Sequence, residues 1–229
     1  RLDAIKGFTE LGSGFKIAMR DLSIRGAGNL LGAEQSGFID SIGFDLYSQL
    51  LEEAVNKRLG KSRKTRKANT EINLEIDAFL PSDYISDQRQ KIEIYKRIRE
   101  IESRTYYQDL QDELIDRFGE YPDTVAYLLA IGLLKYFADH AFVDKIDKQL
   151  STIVYTMSKA ATHTFMPQDY FDALSQTQLK AKIGETAGQM AIRFDIRKVS
   201  ASAYLSEMMA FTERLSAIRD KKTKEQTGL

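Results

Sequence analysis

The chain has 229 residues, with 29% charged and 43% apolar side chains, a composition of folded globular proteins rather than of disordered ones. Lys+Arg and Asp+Glu balance at 33 each, so net charge implies no general attraction to nucleic acid or membrane. Cysteine is absent, which excludes a disulfide framework, a thiolate metal site and a thiol nucleophile and suits a cytoplasmic protein. No apolar run approaches the roughly 18 residues of a membrane span, and the N-terminus is no signal peptide. It lacks an initiator Met and starts as if within a helix, so the chain is expected to be a fragment.

In chain order, Leu2, Ile5, Phe8 and Leu11 recur at three-residue steps as the end of an amphipathic helix, stopped by Gly12-Ser13-Gly14. Residues 15–19 alternate like a short strand. Residues 24–37 then place Arg25, Glu34 and Gln35 among Gly26, Gly28, Gly32 and Gly37. Glycine loses the most backbone freedom on folding, so this density marks a shaped polar loop rather than a spacer. A helix follows, with Ile42, Leu46, Leu50, Leu51, Ala54, Val55 and Leu59 on one face. Seven basic residues lie between Lys57 and Lys67. They read first as a solvated linker. The sharper reading is a strip, including Arg63, Lys64, Arg66 and Lys67, that touches a phosphate backbone.

Beyond the linker, residues 74–80 alternate as a half-buried strand ended by Pro81. Asp87 is placed to cap a helix whose core side chains are Ile94, Tyr95, Ile98 and Ile101. The next helix, 106–118, buries Leu110, Leu114, Ile115 and Phe118 and stops at Gly119. Pro122 suits the start of a third helix, apolar nearly all round from Val125 to Phe137 and so expected to be central. Strands are expected at 153–155 and 190–196, with a short helix at 168–174 between them. A final helix sets Tyr204, Met208, Phe211, Leu215 and Ile218 at alternating four and three spacing, before a frayed tail from 221 to 229.

The chemistry-bearing motifs are mostly absent. Gly26-Ala27-Gly28 opens like a dinucleotide turn, but the third glycine falls at 32 where the fingerprint needs 31. There is no G-x-x-x-x-G-K-[ST] phosphate loop and no G-x-S-x-G elbow. His140 and His163 lack ligand-like spacing, so no metal site is expected. On the 106–118 helix, Asp109, Asp112, Glu113 and Asp116 recur opposite the apolar face, where like charges cost about 0.2–0.5 kcal/mol per pair. Asp109 and Asp112 are expected to recover part of this near the helix N-terminus, and Glu113 and Asp116 are not. Such a face is either ordinarily solvated or an acidic surface for a basic partner.

These residues also carry a resemblance. Arg1-Leu2, Leu11 to Phe15, Asp21-Leu22, 24–37, Ile42-Gly43-Phe44 and Leu46-Tyr47 resemble the TRG motif at the end of the second helicase lobe of bacterial double-stranded-DNA translocases. Tyr95-Lys96-Arg97-Ile98 and Glu113 to Gly119 with Pro122 resemble the C-terminal domain of the transcription-repair coupling factor family. The resemblance implies an α+β chain: a TRG segment closing a RecA-like lobe over 1–60, a basic linker over 61–70, a regulatory domain over 71–220 and the tail. It implies that Arg1, Arg25 and Gln35 couple ATP-driven lobe closure to movement along duplex DNA. The parent would use ATP with Mg, displace stalled RNA polymerase and recruit excision repair in the bacterial cytoplasm. No catalytic site or cofactor is expected within this piece. Its C-terminal domain would mask the UvrA-binding surface of a UvrB-like module through Glu113 and Asp116. The alternative is a stand-alone interaction module with an acidic docking helix.

Overall fold

A computed structural model of the chain describes residues 70–228. The elements expected within 1–59, and with them Arg1, Arg25, Gln35, Arg63, Lys64, Arg66 and Lys67, lie outside those residues. The described chain is α+β and divides into two units, one of 75–101 and 105–129, the other of 70–74, 102–104 and 130–228.

The 74–80 segment forms no ladder, and the strand that exists, β1, is the preceding Glu71–Asn73, which belongs to the second unit. Glu75 adopts a left-handed φ of 53°, which takes the chain out of strand geometry. The alternation is nonetheless real, since Ala78 and Leu80 are buried. Their neighbours' amides are satisfied outside any sheet: Phe79 donates to the Thr124 carbonyl at 3.2 Å, and Leu80 to the Tyr95 hydroxyl at 3.0 Å. Helix α1, Gln88–Arg99, starts as anticipated at Asp87, whose carboxylate accepts from the Gln90 amide at 2.9 Å. Ile94, Tyr95, Ile98 and Ile101 are buried.

Helix α2, Arg104–Phe118, buries Leu110 and Leu114 but leaves Ile115 39% exposed, so its apolar stripe is narrower than the sequence pattern implies. Gly119 ends it at φ 83°, with its amide bonded to the Ile115 carbonyl at 2.9 Å, a left-handed stop that suits glycine. Helix α3, Asp123–His140, opens in the first unit and closes in the second. Val125, Leu128, Leu129, Leu133, Leu134 and Ala138 are all buried, in keeping with its all-round apolar sequence.

The second unit is built on a five-stranded sheet ordered β1-β2-β3-β5-β4, from β2 (Val143–Gln149), β3 (Thr152–Met157), β4 (Ala181–Thr186) and β5 (Gln189–Asp195). Only the β1–β2 pair is parallel. β3 and β5 are the two strands legible in the sequence; β2 and β4 are not. β2 carries only Val143 and Ile146 as apolar residues, and β4 is an edge strand exposed from Lys182 to Thr186. β4 and β5 are joined through Ala187 and Gly188, both at positive φ, the backbone a two-residue hairpin requires. Helix α4, Lys159–Thr164, was not anticipated, whereas α5, Pro167–Leu174, fits the expected short helix.

Helix α6, Ala201–Thr227, buries Tyr204, Met208, Phe211 and Leu215. It does not fray at 221, as the polar composition suggested. It continues to Thr227 and ends on Gly228 at φ 68°. Charged, straight-chain residues such as Lys221, Lys222, Lys224 and Glu225 are good helix formers, so polarity alone does not end a helix.

The sheet meets α6 through Tyr155, Phe194 and Phe211, whose rings lie edge to face at 5.2–5.5 Å. Tyr155 is fully buried, and burial pushes its phenol well above its ordinary range. The hydroxyl is 2.7 Å from Thr212 Oγ1, and Thr212 gives its one proton to the Met208 carbonyl at 2.6 Å, so the phenol is the donor between them. Removing Thr212's hydroxyl leaves the buried phenol only a long bond of 3.5 Å to the Met208 carbonyl, so Thr212→Val should cost about 2 kcal/mol in urea unfolding. In a Tyr155→Phe background the same change should cost less than about 1 kcal/mol, because nothing is left unpaired.

Candidate interaction surface

Of the residues singled out from the sequence, Glu113 and Asp116 fall within the described chain, both on α2, and they differ in kind. Glu113 faces a carboxylate-binding pair of guanidinium groups. Arg97, from α1, donates Nη1 to its Oε2, and Arg117, one turn on, donates Nη1 to its Oε1 at 3.2 Å. Arg117 also reaches Glu93 of α1 at 3.4 Å and stands over the Phe118 ring at 4.9 Å. Four charges of alternating sign thus join the two helices. The Arg97 hydrogen bond, followed by the charges of Arg97 and Arg117, holds the Glu113 carboxyl below its ordinary value.

The offset that the helix dipole does not give Glu113 comes instead from these two arginines. The i,i+4 partner Arg117 was visible in the sequence. Arg97 lies sixteen residues before Glu113, beyond any helical spacing, so its pairing with Glu113 needs the fold. The helix dipole does not help Asp109 and Asp112 as supposed. α2 begins at Arg104 and has no acid in its first turn, so both lie beyond the region where the dipole acts.

Asp109, Asp112 and Asp116 are exposed and make no hydrogen bond or ion pair among the described residues. With Glu113 spoken for, these three carry the negative potential of the α2 surface. The C-terminal end of α2 is held by Tyr84, whose hydroxyl lies 3.1 Å from the Leu114 carbonyl and 2.9 Å from that of Gly119. Its ring meets Phe118 edge to face at 5.9 Å. The last turn, which presents Asp116, is therefore fixed by a hydroxyl, a ring and a glycine stop. Of the histidines, His140 places Nδ1 3.0 Å from the Tyr136 carbonyl within α3. Among the described residues no group of three His, Asp or Glu could hold a metal ion, and no helix is long and apolar enough to cross a membrane.

Because the Glu113 carboxyl is depressed in the folded state, its pairing stabilises the protein above the unfolded value of 4.5 and is lost as pH falls through the folded value. Glu113→Gln should therefore cost about 1 kcal/mol in urea unfolding at neutral pH. That difference should shrink as pH is lowered below 4.5 and the wild-type carboxyl loses its charge.

Comparison with known proteins fits this architecture. The TRCF domain family matches residues 74–168, which include α1, α2 and α3. The chain is 44% identical over 219 residues to the transcription-repair-coupling factor of Bacillus subtilis, a match covering 96% of this chain and 19% of that protein. It is 50% identical over 185 residues to the one from Staphylococcus epidermidis, covering 80% and 16%. The chain therefore spans about a fifth of the length of these curated relatives. The crystal structure of the C-terminal domain of a transcription-repair coupling factor superposes with a TM-score of 0.65 at 48% identity, over 69% of this chain and 99% of that one. On this evidence the chain belongs to the transcription-repair coupling factor family.

Proposed function

We propose that this chain is the C-terminal part of an ATP-dependent double-stranded-DNA translocase that displaces stalled RNA polymerase at lesions and recruits nucleotide excision repair in the bacterial cytoplasm. ATP with Mg belongs to motor lobes elsewhere in the parent, because this sequence contains no phosphate loop. Within this part, the described α+β region acts as a regulator. It docks the acidic side of α2 on a basic surface of a UvrB-like module in the same protein and thereby masks the surface that binds UvrA.

The observation that carries the regulatory reading is Asp116: exposed, unpaired among the described residues, and held on a last turn that Tyr84 and Gly119 immobilise. A preorganised carboxylate loses little freedom when it meets a partner's cation. Glu113 enters differently. A cation approaching it must share the carboxylate with Arg97 and Arg117, so Glu113 sets the shape and charge of the surface as much as it contacts the partner.

Asp116→Arg in the full-length protein should open the mask and strengthen UvrA binding by about tenfold, as expected of one reversed interfacial charge. The unfolding free energy should stay within about 0.5 kcal/mol of wild type, because Asp116 is an exposed side chain. Unchanged UvrA binding in Asp116→Arg, and in the Glu113→Arg/Asp116→Arg double variant, would remove the masking role.

The TRG resemblance supplies the second half of the proposal. Arg1, Arg25 and Gln35 couple lobe closure to translocation, and Arg63, Lys64, Arg66 and Lys67 lie close enough in sequence to the motor segment to follow the DNA backbone. Arg25→Ala in the full-length protein should abolish displacement of RNA polymerase while largely sparing ATP hydrolysis. A variant that displaces polymerase normally would remove Arg25 from the coupling step.

A further inference from the structure

The two edges of the sheet are unlike. β1 closes one with three residues, Glu71–Asn73, and β4 closes the other with six, Ala181–Thr186, in unbroken register with β5. Thr186 pairs with Gln189 across the two-residue turn, and the Asp195 amide donates to the Lys180 carbonyl at 2.8 Å. Bonded pairs alternate along an antiparallel ladder, so the even-numbered residues of β4 turn their backbone groups to β5. Ala181, Ile183 and Glu185 turn theirs the other way, and no described residue is hydrogen-bonded to them. Open edges are commonly blunted by brevity, a bulge, a proline or charge, and of these β4 has only the charge of Lys182 and Glu185.

The two faces of this edge differ in chemistry. Ile183 pairs with Ile192, and Ile192 with Tyr155, so Ile183 stands on the face that packs on α6. It is 36% exposed there, whereas Ile192 is buried. Lys182, and Lys180 just before the strand, stand exposed on the opposite face. Arg193, which pairs with Lys182, donates Nη2 to Thr186 Oγ1 and lays its guanidinium over Gly184. Asp195, whose amide meets Lys180, is in an ion pair of 2.5 Å with Arg197. Asp144 approaches at the hairpin end, 2.8 Å from Gln189 Nε2. Around Lys182, then, Lys180, Lys182, Arg193 and Arg197 stand against Asp195.

We propose that β4 accepts an extended acidic peptide, which adds to the sheet as a further strand with apolar residues beside Ile183 and carboxylates beside Lys182. An open edge prescribes its partner's conformation, because only an extended chain presents donors and acceptors at the strand repeat. The two faces prescribe its sequence, an alternation of apolar and acidic residues. A second copy of β4 fits less well. The antiparallel register that pairs Ile183 with itself gathers Lys182 and Arg193 of both copies on one face. The inference goes beyond the masking role, which uses α2 and the opposite charge.

The probe is a fluorescein-labelled peptide of about nine residues alternating valine and glutamate, titrated with the full chain by anisotropy. Its isomer with the valines and glutamates in separate blocks should bind about tenfold more weakly, as should the peptide with lysine for glutamate. Charge alone, at the basic stretch from Lys57 to Lys67 or elsewhere, does not distinguish the two isomers. Ile183→Pro removes one outward donor and spares the bonds to β5, so affinity should fall by about tenfold with unchanged far-ultraviolet circular dichroism. Lys182→Ser should weaken binding by about threefold at low salt, and less as salt is raised. Equal binding of the two isomers overturns the site, as does wild-type affinity in Ile183→Pro or no binding up to about 1 mM chain. Sedimentation of the chain alone should show a monomer. A dimer that Ile183→Pro dissolves gives the edge to a second copy and overturns the peptide.

Discussion

Glu113 has two cations, one from its own helix and one from its neighbour, and the first unit is arranged around that sharing. A carboxylate on a half-buried helix face is tolerated where its oxygens are both taken up, and Arg97 and Arg117 take one each. The same pairs tie α1 to α2, and Arg117 extends the chain of charges to Glu93. Surface ion pairs are individually weak, but a network with several members and a ring beneath one guanidinium fixes geometry. What it fixes is the direction in which α2 presents its remaining acids. The surface would be a loose set of like charges without this inner pairing.

The second unit answers the same requirement with neutral groups. Tyr155 is large enough to fill the space between sheet and helix, and its hydroxyl has to go somewhere. The relay to Thr212 and on to the Met208 carbonyl gives it a partner at a point where helix α6 has a carbonyl within reach. In both units a polar group is admitted where the next group along accepts it. At the β2–β3 tip the rule runs the other way: the apolar side chain of Leu150 is held out in water on a left-handed backbone.

Much of the fold could be read from residue order, and the parts that could not share a cause. The cap at Asp87, the stop at Gly119, the all-round apolar α3 and strands β3 and β5 announce themselves because their signals are local. β2 and β4 do not, since a strand that borrows its stability from neighbours on either side needs few apolar residues of its own. The 74–80 segment shows the converse. Its alternation records burial on alternate sides, which an extended chain acquires against helices as readily as in a sheet, and the left-handed Glu75 decides which.

For the site, the sequence by itself determined that α2 carries four acids opposite an apolar stripe, and the motifs around them pointed to the coupling-factor family. Periodicity is a property of the chain and survives any tertiary arrangement. Which of those acids faces a partner was decided only by the fold. Arg97 lies sixteen residues before Glu113, outside the reach of any helical spacing, and becomes its neighbour when α1 and α2 are laid side by side. Strand register likewise brings the 143–149, 152–157 and 189–195 stretches side by side, which no local spacing announces. A charge's meaning depends on what stands within a few ångströms of it, and that distance is set by packing rather than by order along the chain.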